Sequence, residues 1–298
     1  MLGEVLSTLN IAEKIVRFWK WAQGKRNPVS ETVAARFVRL FESHDVHRNQ
    51  IPRFFGHGLA LKDVQSDADL LPKLDETVLQ AACDLFAVRR EWLDGAEAQI
   101  YSCQDFYKKP GEAAGFLQSL TAKTLDGKLD GVLFAPEQKE GEALIIFRET
   151  IGAVGEKEIY RYHLLNNWSF GYWKARGYLA ACVAIAWKHG VYIRGLYIDS
   201  KTIRELAQGT CLVGSDGEGI DTYGGRKWYP EDLLLKPNVF LEGIDPELNN
   251  FGISSAIDLW LRLDEQGFMD AGLEMYDRQT VRAQFMAADP SRALDPVQ

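Results

Sequence analysis

The chain has 298 residues, 46% of them apolar and 26% charged, with a net charge of −8. This composition can bury a sizeable core and excludes disordered, collagen-like and disulfide-stapled sequences. The longest apolar run, from Tyr178 to Trp187, is about half of the ~20 residues a membrane-spanning helix needs.

The N-terminus carries Glu4, Glu13 and Lys14 among its apolar residues and has no small-residue cleavage site, so a secretory leader is not expected and a cytoplasmic protein without a membrane partner is. The four cysteines, Cys83, Cys103, Cys182 and Cys211, form no C-x-x-C pair, and no metal site is expected from them. The charge is uneven. Residues 1–60 hold nine Lys/Arg against five acids, a balance of +4 that leaves −12 for the remainder, and three of the five histidines (His44, His47 and His57) lie in the same part. A basic end on an acidic body suits a polyanionic partner, although a chance excess of surface lysines gives the same balance.

Residues 2–23 read as a first helix, with Val5, Leu9, Ala12, Val16 and Trp19 at helical spacing. Ser30 is the expected N-cap of a second, which places Val33, Phe37, Leu40 and Phe41 on one face. A short third helix starts near Asn49, with Pro52 in its first turn. A fourth covers residues 61–71. Asp75 caps a fifth that carries Val78, Leu79, Ala82, Leu85 and Phe86.

The texture changes at about residue 96. Strand-like runs at 132–135, 143–150 and 158–165 are joined by linkers short enough for hairpins. An aromatic-rich helix over 173–189, a strand over 191–198 and a helix capped by Asp199 or Ser200 follow. Residues 209–225 form a glycine-rich loop, residues 226–252 an irregular stretch with short strands, Ile253, Ile257, Trp260 and Leu261 mark a last helix, and residues 289–298 a loose tail. The expected fold class is α+β: an all-helical module over residues 1–96, then an α+β domain over 97–298 whose antiparallel sheet carries helices on one face.

Residues 33–95 resemble the lambda-repressor-like (Cro/XRE) helix-turn-helix domain. The likeness is clearest at Val78-Leu79-Gln80-Ala81-Ala82-Cys83-Asp84-Leu85-Phe86-Ala87-Val88-Arg89-Arg90-Glu91-Trp92-Leu93-Asp94-Gly95, which is similar to that family's closing helix, apolar turn and Trp-Leu signature. The resemblance implies a motif whose first helix lies at 48–55 and whose recognition helix lies at 61–71. Double-stranded DNA is then the partner, a homodimer the expected state, and Arg48, Asn49, Gln50, Arg53 and Lys62 the contact residues, with Lys25 and Arg26 on phosphates. Asp63, Asp67 and Asp69 stand on the same recognition stretch, where phosphate repulsion favours the alternative of a non-catalytic interaction or scaffolding factor that keeps the helices for packing.

Elsewhere no motif carries chemistry. The loop Gly214-Ser215-Asp216-Gly217-Glu218-Gly219-Ile220-Asp221 lacks the ligand spacing of a calcium loop and the first glycine of a nucleophile elbow. His163 and His189 are isolated, and no cofactor is implied. The densest feature is aromatic: Tyr160, Tyr162, Trp168, Tyr172 and Trp173, with Arg161 and Arg176 interleaved. It is either a core or the lining of an effector pocket for a small molecule or protein. The sequence thus supports a DNA-binding transcriptional regulator with a sensory or dimerisation domain, an interaction factor, or an enzyme whose site is assembled from distant residues.

Overall fold

The structure, a computed structural model, describes residues 31–124, 128–214, 219–244, 252–274 and 276–290. The expected first helix, Lys25, Arg26, Ser215 to Glu218 and the tail beyond residue 290 lie outside the described residues.

The described chain starts with helix α1 (Val33–Ser43), capped by Thr32, whose hydroxyl accepts from the Ala35 N–H at 3.1 Å; Thr32 takes the capping role expected of Ser30. A 3-10 turn (Arg48–Gln50) leads into the one-turn α2 (Ile51–Phe54). The single helix expected over 61–71 is instead three short pieces: a 3-10 turn (Leu61–Val64), α3 (Asp67–Leu70) and a second turn (Leu71–Lys73). Ser66 is the reason. Its extended backbone breaks the run and its hydroxyl accepts from the Asp69 N–H, capping a new helix. Helix α4 (Glu76–Phe86) is capped by Asp75 as its sequence predicts and ends at Ala87, in the left-handed region at φ 55°. Helix α5 (Arg90–Asp94) stops at Gly95. A helix that the sequence reading passed over, α6 (Pro110–Thr121), follows, with Pro110 at its first position.

Strands β1 (Leu129–Pro136), β2 (Glu142–Val154) and β3 (Lys157–Ser169) form an antiparallel meander. Helix α7 (Trp173–Lys188) then crosses back to β4 (Ile193–Ile198), which lies parallel to β1. Helix α8 (Ser200–Ala207) follows, the short β5 (Arg226–Trp228) completes a sheet of order β3-β2-β1-β4-β5, and two short helices, α9 (Asp232–Leu235) and α10 (Pro237–Leu241), come next. The α+β class holds, but the sheet is mixed where a purely antiparallel one was expected. A helical crossover between two strands is the connection that permits parallel pairing.

The sheet is also covered on both faces, not one. Leu133, Ala135, Ile145, Phe147 and Leu165 face α6, α7, α11 (Gly252–Glu265) and α12 (Arg278–Ala287). Val132, Phe134, Leu144, Ile146, Tyr162 and Leu164 face α1, α4 and α8. The core on the second side runs without interruption from Ala34 through Leu93 to the strands. Gly152 on β2 permits part of this approach, because a Cβ there would stand 2.9 Å from the Phe54 ring. Helix α7 is buried from Ala175 to Ala186 apart from Tyr178, the pattern of a helix enclosed by neighbours. No helix among the described residues is long and apolar enough to cross a membrane.

Candidate functional site

The expected DNA contacts are distributed over the α1–α3 region. Arg48 is engaged inside it: Nε donates to the Val64 carbonyl and Nη2 to Asp67, both at 2.6 Å. Gln50 caps its own turn, Oε1 accepting from the His47 N–H at 2.9 Å. Asn49 is exposed. Asp63 is buried and caps the 61–64 turn through the Ala60 N–H, so it does not face a groove. Arg53 and Lys62 are exposed, with no acid within 4 Å among the described residues. Residues 31–94 hold eight Lys/Arg against eleven Asp/Glu. Most of the basic excess of the N-terminal part, +3 of the +4 over residues 1–60, lies in residues 1–30.

The aromatic-rich residues do not converge on one pocket. Tyr160 and Tyr162 lie on the helical-layer side of β3 and share a small void of about 30 Å³ with Ser43, His44 and Arg148. Trp168 is fully buried on the opposite face, its indole donating to Leu165 O at 3.1 Å. Tyr172 is exposed at the start of α7, and Trp173 borders an open groove with Asp258, Arg262 and Arg282. Arg176 is buried and ties down three carbonyls, those of Phe170, Phe240 and Glu242. Arg161 turns to Glu149.

That last contact leads to a site at the junction of the helical layer and the sheet. A cleft of about 370 Å³ opens at the outer edge of β3, lined by Cys83, Asp84, Ala87, Val88, Ser102, Gln104, Tyr162 and His163. This falls within the roughly 300–1,000 Å³ of ligand clefts. One wall is the carboxyl end of α4, the second is the segment 102–104, and the floor is the edge of the sheet. Gln104 pairs with that edge, its N–H donating to Leu164 O at 2.8 Å and its carbonyl accepting from Asn166 N at 3.1 Å. Further back the segment turns away, as the Ile100 and Tyr101 amides bond to the Gly209 carbonyl. The cleft is the gap it leaves.

His163 is oriented from behind. Its Nε2 lies 2.9 Å from Glu149 Oε2, while Arg161 grips the same carboxylate through Nε at 2.6 Å and Nη2 at 2.7 Å, and Thr124 donates to it at 3.0 Å. The register produces this cluster, because Glu149 stands directly across from Arg161 and diagonal to His163. Burial opposes the Glu149 charge, but the hydrogen bonds from His163 and Arg161 prevail and hold its carboxyl down at about 2. An ionised carboxylate only accepts, so Nε2 of His163 is the donor in this contact. The Cys83 thiol is pushed up to about 12 by burial and stays protonated.

A second histidine marks the joint between helical layer and sheet. His44 is buried between the Phe86 and Tyr162 rings, centroids 4.3 and 5.7 Å away, with Nδ1 2.7 Å from Leu40 O. Burial drives it down to about 4 against that carbonyl bond, so it is neutral near pH 7.

Sequence reasoning missed the cleft because its walls come from three separated segments. The signal available was Glu149, an acid inside the apolar run of β2, which needs a partner wherever it is buried. No family model, curated protein or solved structure matches this chain.

Proposed function

We propose that the chain is a ligand-binding protein whose site is the cleft at the β3 edge, with the helical layer serving as part of the wall. The observation that carries this reading is the junction itself: α4 supplies Cys83, Asp84 and Ala87, and the sheet supplies Tyr162 and His163, the latter held in place by Glu149. A ligand there touches both layers at once, which is the arrangement an effector site uses to bias one part of a molecule against another. The test is an NMR titration of the ¹⁵N-labelled chain with a panel of small polar fragments. Shifts gathered at Ala87, Ser102, Gln104 and His163 are expected. Shifts confined to the groove beside Trp173 and Arg262, or no shifts at all, would end the reading.

The second reading is a DNA-binding transcriptional regulator that acts as a homodimer. Exposed Arg53 and Lys62 support it, together with the basic residues Lys25 and Arg26 of the sequence. It expects anisotropy-detected binding to duplex DNA that weakens steeply with salt and is impaired in an Arg53→Glu, Lys62→Glu double variant. Flat titrations of the full chain on its own upstream duplex would dispose of it.

A further inference from the structure

The outer edge of β3 has a definite parity. Leu164 and Asn166 make their backbone bonds outward to Gln104, and the Thr150 N–H, opposite Tyr160, bonds to Lys128 on the β1 side. Alternation along an antiparallel ladder then points the N–H and C=O of Arg161 and His163 at β2, and those of Tyr160 and Tyr162 outward. Tyr162 lines the cleft and is only 3% exposed. Its outward amide and carbonyl therefore stand on the cleft side of the strand, and they have no backbone partner among the described residues. An unpaired main-chain donor and acceptor side by side is the requirement of one more strand rung. The segment through Gln104 already occupies the neighbouring rung, parallel to β3.

The rim beside this rung carries an acid. Arg161 is paired with Glu149 and donates onward to the Asp84 carbonyl at 3.2 Å, and Asp84 Oδ1 accepts from Gln80 Nε2 at 2.8 Å. Asp84 is exposed at the rim, and α4 ends at Ala87 with the partial negative charge of a helix carboxyl terminus. A donor–acceptor rung beside a negative rim fits an ammonium followed by a peptide unit.

We infer that the cleft captures the free amino terminus of a short extended peptide, its first peptide unit pairing with the Tyr162 main chain and its ammonium lying against Asp84 and the end of α4. This rests on the cleft being the binding site and gives that site its ligand class. The apolar walls at Cys83, Ala87 and Val88 leave room for small side chains.

The test uses the full chain and two probes, Ala-Val amide and its N-acetylated form, followed by amide chemical shifts and calorimetry. The free-amine probe is expected to shift Tyr162, His163, Ser102 and Gln104. Acetylation should weaken it by about tenfold, the loss of one charge-assisted contact. Asp84→Asn, a change at an exposed position, should weaken the free-amine probe about threefold and leave the acetylated one unaffected. Equal binding of the two probes overturns the inference. Binding of fragments from the polar panel with no response to either peptide overturns it while the cleft stands as a site. Silence from fragments and peptides alike removes both.

Discussion

The two faces of the sheet solve the same burial problem differently. On the α7 side the cover is continuous: small residues of α7 let α11 come close, a Cβ on Gly177 would stand 2.6 Å from Leu259 Cδ2, and the buried Arg176 is spent on three carbonyls. Trp260 and Phe285 stack at 3.8 Å further out. On the helical-layer side the cover is assembled from short helices, and polar groups enter the contact at His44 beneath the layer. Where that layer meets the β3 edge it falls short of closing, which leaves the cleft backed by the Glu149 cluster. The close-packed face gives stability, and the interrupted one gives a place where a ligand can be held.

The sharpest break in that comparison comes from Glu149→Gln. It leaves Arg161 and His163 without their carboxylate, and breaking a part-buried pair of this kind is expected to cost about 3 kcal/mol in urea unfolding. Unchanged stability would show that the cluster is solvated. Next is pH. His44 is neutral in the fold and titrates near 4, against an ordinary 6.5, so the unfolded chain binds the extra proton between those values. The stability it contributes is complete above about pH 6.5 and is lost as pH falls through 4, about 3 kcal/mol in total. His44→Phe should flatten that dependence, and a variant with the parent's full pH slope would contradict the assignment. Gly177→Val on the sealed face should cost about 2 kcal/mol by overpacking against Leu259; a neutral result would mean that α7 and α11 can separate without loss. The smallest effect is a gain. Ala87 sits in the left-handed region, so Ala87→Gly at the cleft wall should raise stability by up to about 1 kcal/mol.

Much of this architecture was legible in the sequence. The meander, α7, β4 and the Asp75 cap follow from periodicity and capping chemistry, and of the two caps open for α8, Asp199 or Ser200, the fold takes Asp199. The mixed sheet was also within reach: Val132-Leu133-Phe134-Ala135 and Ala143-Leu144-Ile145-Ile146-Phe147 are continuous apolar runs, the mark of strands buried on both faces, where a half-exposed strand would alternate. Residues 61–71 misled because their apolar spacing is helical while Ser66 silently restarts the chain. Arg48 looked like a free cation, and only the fold shows that Val64 and Asp67 take it. The cleft could not be read at all. Its floor is main chain, and the parity of an edge strand is fixed by which neighbour it lacks.

That parity is the most direct point of attack. Native-state hydrogen exchange of the full chain should find the Tyr162 amide exchanging much faster than those of Arg161 and His163, which bond to β2. A Tyr162 amide as protected as its two neighbours would mean that the β3 edge is already paired, and the cleft would lose the main-chain groups on which its role as a binding site rests.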